Sequence, residues 1–293
     1  MRSGKGKRMI PLVVKPSVRP IKYYDVVGDV MVEFMRNRRV AIIQQTNTEA
    51  RLITRVRHED GTPLPIIIND KEELIRYVKS GGIDFMTSIG NATSKNADTL
   101  IIDIKGGRKA WLTIEGLRAM NIAIMAVKAV FEGLGLSNNV VVFDGMNGFK
   151  VISKLSSEVG DDVIQGFIRI VTEGVPRGLK GIEVFRSYED DIIIGGNTMI
   201  KVRMFRVPLS LHWSTKLSAI PITDVESFLS KNADPSNVVM SMSLMRKLLE
   251  PLSRLNPVDS LLDFVGKLRV DDVDVIYKIK HMVKASLASL MRN

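Results

Sequence analysis

The 293-residue chain contains no cysteine. That absence excludes disulfides, thiolate zinc sites, iron–sulfur clusters and cysteine nucleophiles. Long hydrophobic runs are missing too, and none approaches the roughly 18–20 residues that a membrane span needs. Near the start, Arg2, Lys5, Lys7 and Arg8 precede only a short apolar stretch, residues 9–14, interrupted by Pro11. This is too short for the apolar segment of a signal peptide, so a cytoplasmic protein with no membrane association is expected. Neither a dinucleotide glycine fingerprint nor a Walker-type loop is present. There is no internal repeat and no long low-complexity tract, so most of the chain should fold.

What is abundant is positive charge. Lys and Arg total 42 against 32 Asp and Glu, a formal net charge of +10. An excess of this size favours polyanionic partners such as nucleic acid or nucleotides.

Periodicity divides the chain into three parts. Residues 1–8 read as a basic disordered tail. Residues 9–235 read as one domain of strands and helices, and residues 236–293 as a helical C-terminal region. Within the domain, strands are expected at 40–45, 51–56, 64–68, 99–105, 140–143, 149–152, 182–186, 191–194 and 199–207. Residues 70–79 read as a short helix, capped by Asn69 or Asp70 and followed by Gly81 and Gly82. Leu117, Met120, Ile124, Val127, Phe131 and Leu134 step by three and four, which predicts a long amphipathic helix closed by Gly135. Residues 161–172 have helical spacing. At the C-terminus, Ile276, Ile279, Val283, Leu287 and Leu290 form one apolar stripe. Asp271, Asp272 and Asp274 stand at the start of that helix, where its dipole favours anions.

Three stretches carry chemistry. In the first, Asp103 ends an apolar strand before Gly106 and Gly107, with Lys105 two residues on and therefore on the same face. In the second, the loop 144–148 holds Gly145 and Gly148 between strands. Two glycines so placed permit close backbone approach and an anion-binding nest, or an ordinary hairpin turn. Lys150 follows. In the third, Arg203 and Arg206 end a strand, Pro208 breaks it, and Ser210, His212, Ser214, Thr215 and Lys216 crowd a short loop. This density of phosphate donors is unusual in a mere connector.

The order and spacing of these stretches resemble the archaeo-eukaryotic primase superfamily. It includes the catalytic small subunit of archaeal and eukaryotic primase and the polymerase domain of end-joining ligases. The family pattern is a strand ending Asp-x-Asp, a Ser-Gly-x-x-Gly-x-His loop, then a third Asp before Arg-x-x-Arg-x-Pro-x-Ser-x-His. Here Arg203, Arg206, Pro208, Ser210, Leu211, His212 and Thr215 match the last motif, and residues 220–222 look like the segment that follows it. The resemblance covers residues 35–235. It implies an α+β fold with a primase-polymerase (RRM-like) mixed-sheet core and flanking helices. It also implies DNA, RNA or nucleoside triphosphates as ligands, and a primase large subunit or another replication or repair protein as partner.

The departures fall on the metal-binding half. Lys105 replaces the second Asp, Asp144 the Ser, Lys150 the His, and Ile194 stands where the third Asp belongs. Only Asp103 remains of three carboxylates. One carboxylate beside a lysine does not hold two divalent ions. Lys105 is the expected partner of Asp103, which would leave the site metal-free. The leading reading is a catalytically degenerate primase-like protein that binds phosphate through Gly145, Gly148, Lys150, Arg203, Arg206, Ser210, His212 and Lys216. Two alternatives stay open. One is an active primase or polymerase using Mg or Mn on Asp103 with Asp190 or Asp191. The other is an unrelated basic α/β binding protein.

Overall fold

The structure, a computed structural model, describes residues 18–46, 49–58, 60–268 and 272–290. The expected basic tail lies outside these residues, as do Asp271 and the side chains of Asp272, Asp274, Ile276, Leu287 and Leu290.

Helix α1 (Pro20–Met35) opens the fold. Pro20 stands in its first turn, where a missing N–H is no loss, and Tyr23, Tyr24, Val27, Met31 and Met35 are fully buried. Strands β1 (Val40–Gln45) and β2 (Ala50–Ile53) follow, then a two-stranded arm, β3 (Arg55–Arg57) with β4 (Pro63–Pro65). Helix α2 (Lys71–Lys79) is capped by Asp70, whose side chain accepts from the Glu73 N–H at 2.8 Å. Strand β5 (Gly82–Ser88) completes this half. Neither α1 nor β5 stood out in the sequence pattern.

The second half begins with β6 (Ala97–Gly106), α3 (Arg108–Leu112) and α4 (Ile114–Gly133). It continues with β7 (Asn139–Phe143), β8 (Gly148–Val159), α5 (Asp161–Leu179), α6 (Glu183–Arg186) and β9 (Ile192–Gly195). Strands β10 (Met204–Arg206) and β11 (Pro221–Ile222) precede the C-terminal helices α7 (Pro235–Met240), α8 (Met242–Leu249), α9 (Asp259–Leu268) and α10 (Asp272–Leu290).

The strands form two main sheets, ordered β10-β5-β1-β2 and β11-β7-β8-β6-β9. The α+β architecture is as expected. In place of the expected mixed sheet, every ladder is antiparallel, and the one parallel pairing among the described residues is the isolated bridge Leu155–Asn256. On β6, residues 100, 102, 104 and 106 share one face. A side chain at Gly106 would strike Met120 of α4, so this is the face that the helices cover. Asp103 and Lys105 therefore point the other way. Helix α10 packs on α4 and α5. Gly174 and Gly178, one turn apart on α5, allow this close approach: a Cβ at either would lie within 3.0 Å of Ile279 or Val283.

Two expected strands are corrected. Residues 182–186 form the short helix α6, in which Phe185 is the buried residue. Within 199–207 only Met204–Arg206 is strand. Thr198–Val202 winds as a single π-helical turn that carries Met199 into the core. Helix α5 also runs past the expected 161–172, through Pro176 to Leu179. No helix among the described residues is long and apolar enough to cross a membrane.

Candidate phosphate-binding site

Asp103 lies near the middle of the sheet. The ladder sets it directly opposite Lys150 on β8, and opposite residues in an antiparallel pair share a face. The Lys150 ammonium binds Asp103 Oδ1 directly, and both residues are buried. Thr198 completes the cluster: its N–H donates to Asp103 Oδ2 at 3.3 Å, and Lys150 Nζ donates to its hydroxyl at 3.4 Å. Burial pushes the Asp103 carboxyl up, but the charge and hydrogen bond of Lys150, with Thr198 and Lys105, outweigh it and hold the group below the usual carboxylate range. The expected partner, Lys105, is exposed instead. The ion pair belongs to Lys150, because the strand register, and not chain proximity, decides which lysine faces Asp103.

The loop between β7 and β8 is closed by its own first residue. Asp144 Oδ1 accepts from the N–H groups of Met146, Asn147 and Gly148 at 2.8, 3.1 and 3.1 Å. The amides that could cradle a bound anion are thus occupied by an internal carboxylate. Gly145 has φ +84° and lies against His212, where a Cβ would sit 2.9 Å from the His212 Cβ. Gly148 packs against the Lys105 side chain. Lys105 and His212 therefore flank the same loop.

The third stretch crosses from one sheet to the other, leaving β10 at Arg206 and joining β11 at Pro221. Arg206 pins the two sheets. Its Nε and Nη2 donate to both oxygens of Asp84 on β5, each at 2.8 Å, and Nη1 donates to the Asp144 carbonyl at 2.5 Å. Burial alone would weaken its charge, but Asp84 and Asp144 more than restore it. Two tyrosines of α1 support the loop. Tyr23 donates to the Leu209 carbonyl at 2.7 Å, and the Tyr24 hydroxyl accepts from the Leu211 N–H at 3.0 Å. Of four non-glycine residues with left-handed φ among those described, three lie here: Arg203, Leu209 and Lys216. Such conformations cost of order 1–3 kcal/mol each and persist where surrounding structure imposes them.

His212 is buried, and burial first, then the Arg206 guanidinium, pulls its pKa down to about 4. Its Nδ1 accepts from the Ser214 N–H at 3.2 Å. A neutral imidazole that accepts at Nδ1 carries its proton on Nε2, which makes that nitrogen a donor. Thr215 ties this loop to the glycine loop by donating to the Gly145 carbonyl at 2.6 Å. Lys216 bonds the Trp213 carbonyl and Gln45, none of them a carboxylate. Trp213, beside His212, is 39% exposed.

The structure thus brings Asp103 and Lys150 together, sets Lys105 and His212 against the Gly145–Gly148 loop, and ties Arg206 to Asp144 of that loop. It separates the remaining expected residues. Ser210 is fully buried, and its hydroxyl accepts from the Phe85 N–H at 2.8 Å, so it supports the loop instead of facing a ligand. Arg203 turns away to Asp161 and the Lys95 carbonyl. Asp191 caps α3 through the Ala110 N–H at 2.5 Å. It lies four residues along β9 from Gly195, the residue opposite Asp103, or about 13 Å at the usual strand rise. Asp190, exposed, is a residue further away. Asp84 and the Tyr23–Tyr24 pair escaped sequence reading. Their signals were a carboxylate inside the apolar run 83–86 and adjacent aromatics one turn after Pro20.

A divalent cation needs several oxygen ligands. At Asp103 one carboxylate is present, and a lysine ammonium and a backbone N–H already bind it. Ile194 pairs with Ile104 and so lies on the opposite face. No three His, Asp or Glu side chains converge among the described residues. The residues at Asp103 do not fit the Mg or Mn that an active primase would require.

The two antiparallel sheets, their flanking helices and the crossing segment between them form a primase-polymerase fold. The polymerase domain of Mycobacterium tuberculosis ligase D, solved in complex with DNA, is similar over 78% of this chain and 90% of its own, at TM-score 0.60 and 16% identity. The primase-polymerase domain of cyanophage S-2L matches over 76% and 95% of the two chains, at TM-score 0.31 and 12% identity. No family model and no curated protein matches the sequence.

Proposed function

We propose that this chain is a catalytically degenerate primase-like protein that binds the phosphates of a nucleotide or nucleic acid without a metal. It would serve as a non-catalytic component of a replication or repair assembly, working beside a partner subunit. The observation that carries this reading is the buried Asp103–Lys150 ion pair, which puts an ammonium on the only retained carboxylate of the expected metal set. The resident positive charge takes the place of an ion.

The binding half retains usable donors. His212 Nε2, Lys216 and the exposed Lys105 surround the Gly145–Gly148 loop, and none of them is bound to a carboxylate in the described hydrogen bonds. Cationic and neutral donors of this kind grip phosphate without a metal. Arg206 is reassigned from gripping phosphate to positioning the two loops, since Asp84 and Asp144 engage three of its nitrogens.

Titration with a labelled nucleoside triphosphate tests the reading. The affinity should be the same in EDTA and in Mg²⁺, and His212→Ala and Lys216→Ala should each weaken it. Primer synthesis or extension should be absent with Mg²⁺ or Mn²⁺. Product that depends on metal and vanishes in Asp103→Ala would overturn the proposal in favour of an active polymerase.

A further inference from the structure

A second basic site lies away from the His212 loop. It is a cleft of about 550 Å³ between the β3–β4 arm, the start of β1 and the turn leading into β10. That volume is within the range of pockets that hold small molecules, about 300–1,000 Å³. Four cations line it: Arg39, Arg55, Lys201 and Arg203. They come from three separate parts of the chain, and no Asp or Glu is among the lining residues. Arg55 and Lys201 are exposed and pair with no carboxylate among the described residues. Arg39 reaches only the Ser94 carbonyl, at 3.5 Å. Arg203 alone is held by an acid, Asp161.

We infer that this cleft binds the sugar-phosphate backbone of a single strand of nucleic acid. Like charges gathered without counter-charge repel, and a polyanion relieves that repulsion. No aromatic residue lines the cleft, so no base can stack there, and recognition falls to phosphate contacts that do not read sequence. A volume of about 550 Å³ is that of a small-molecule pocket, which suits a short run of one strand better than the two strands of a duplex. The cleft also adjoins the Asp103 face. Thr198, at one end of the π-helical turn, binds Asp103, and Lys201 near its other end lines the cleft. A strand held here would leave toward that face. Arg55 and Lys201 lie outside the His212 stretch, so the inference stands if that loop proves to bind nothing.

Fluorescence anisotropy of a labelled 12-residue oligothymidylate, with full-length chain over a salt series, tests it. The double reversal Arg55→Glu with Lys201→Glu should weaken binding at least tenfold. Each lost phosphate contact should flatten the slope of log K against log salt by about 0.7, so about 1.4 for the pair. Binding of a nucleoside triphosphate should be unchanged in the same variant. Unchanged oligomer affinity and slope would overturn the inference, as would failure of the native chain to bind the oligomer, or equal binding of a duplex of the same length. If His212→Ala abolished oligomer binding while the double variant kept it, the strand would belong to the loop, and the cleft proposal alone would fall. Both substituted positions are exposed, so thermal unfolding should be unaltered. Should the reversal unfold the chain, Arg55→Gln with Lys201→Gln must still give a severalfold loss.

Discussion

The strand pair around Asp103 and the loop around His212 meet opposite fates. On the Asp103 side both carboxylates have an internal answer: Lys150 meets Asp103, and Asp144 accepts from the amides of its own loop. On the His212 side the structure spends its bonds on shape instead. Arg206, Tyr23, Tyr24, Ser210 and Thr215 fix the loop, while His212 Nε2 and Lys216 keep donors that no acid quenches. Each half has its own physical logic, and they can be separated by mutation.

The largest effect should come from breaking the neutralised half. Removing one partner of a buried ion pair strands the other charge and costs about 3–5 kcal/mol. Lys150→Met should lose that much in denaturant unfolding. Replacing both, Asp103→Leu with Lys150→Met, should recover most of it, because the buried charge disappears with its partner. If the double variant is no more stable than the single, the pair is not the self-contained unit described here.

Asp84→Ala probes the frame of the other half. It leaves the Arg206 guanidinium without its bidentate acceptor. Arg206 keeps the Asp144 carbonyl as a partner, so the cost should be smaller, about 2–3 kcal/mol. Nucleotide binding should fall with it, since Arg206 also holds the Asp144 carbonyl. Unaltered nucleotide affinity in a folded Asp84→Ala protein would show that the two sheets need no pin.

The pH dependence distinguishes the halves by window. Unfolded His titrates near 6.5, and His212 in the fold titrates near 4. Between those values the unfolded chain binds a proton that the folded chain does not. Stability should therefore fall as pH drops from about 6.5 toward 4, by no more than about 1.4 kcal/mol per pH unit. His212→Gln should remove this component. Asp103 works lower: its carboxyl is held below the ordinary range, so the stability it lends is present above that range and is lost only as pH falls through its own depressed value. Urea melts of both variants from pH 7 to pH 3 would show whether the two windows separate.

The smallest effect on the fold should be that of Lys216→Ala. Surface changes of this kind shift stability by roughly 0.5 kcal/mol or less. Triphosphate affinity should nonetheless drop about tenfold, the worth of one charge-assisted hydrogen bond. A loss of stability without a loss of affinity would make Lys216 a loop brace and nothing more.

Sequence alone carried local patterns well. The Asp70 cap, the long apolar face of α4 and the stop at Gly135, with φ +77°, all appear where spacing placed them. The crossing segment around His212 was legible because its residues are contiguous. Local spacing also located Asp103 and the Gly145–Gly148 loop, while the expectation of further carboxylates came only from the resemblance to the primase superfamily. It could not choose between Lys105 and Lys150 as the partner of Asp103. That choice rests on the register of two strands 47 positions apart, and register is a tertiary property. Nor could it reveal Asp84 as the acceptor for Arg206, or the α1 tyrosines under Leu209 and Leu211, because those contacts join residues more than a hundred positions apart. Composition and spacing determined the excess of positive charge and the crowding of cationic and hydroxyl side chains around His212. Folding decided which charges cancel, because cancellation depends on what the two sheets bring within bonding distance.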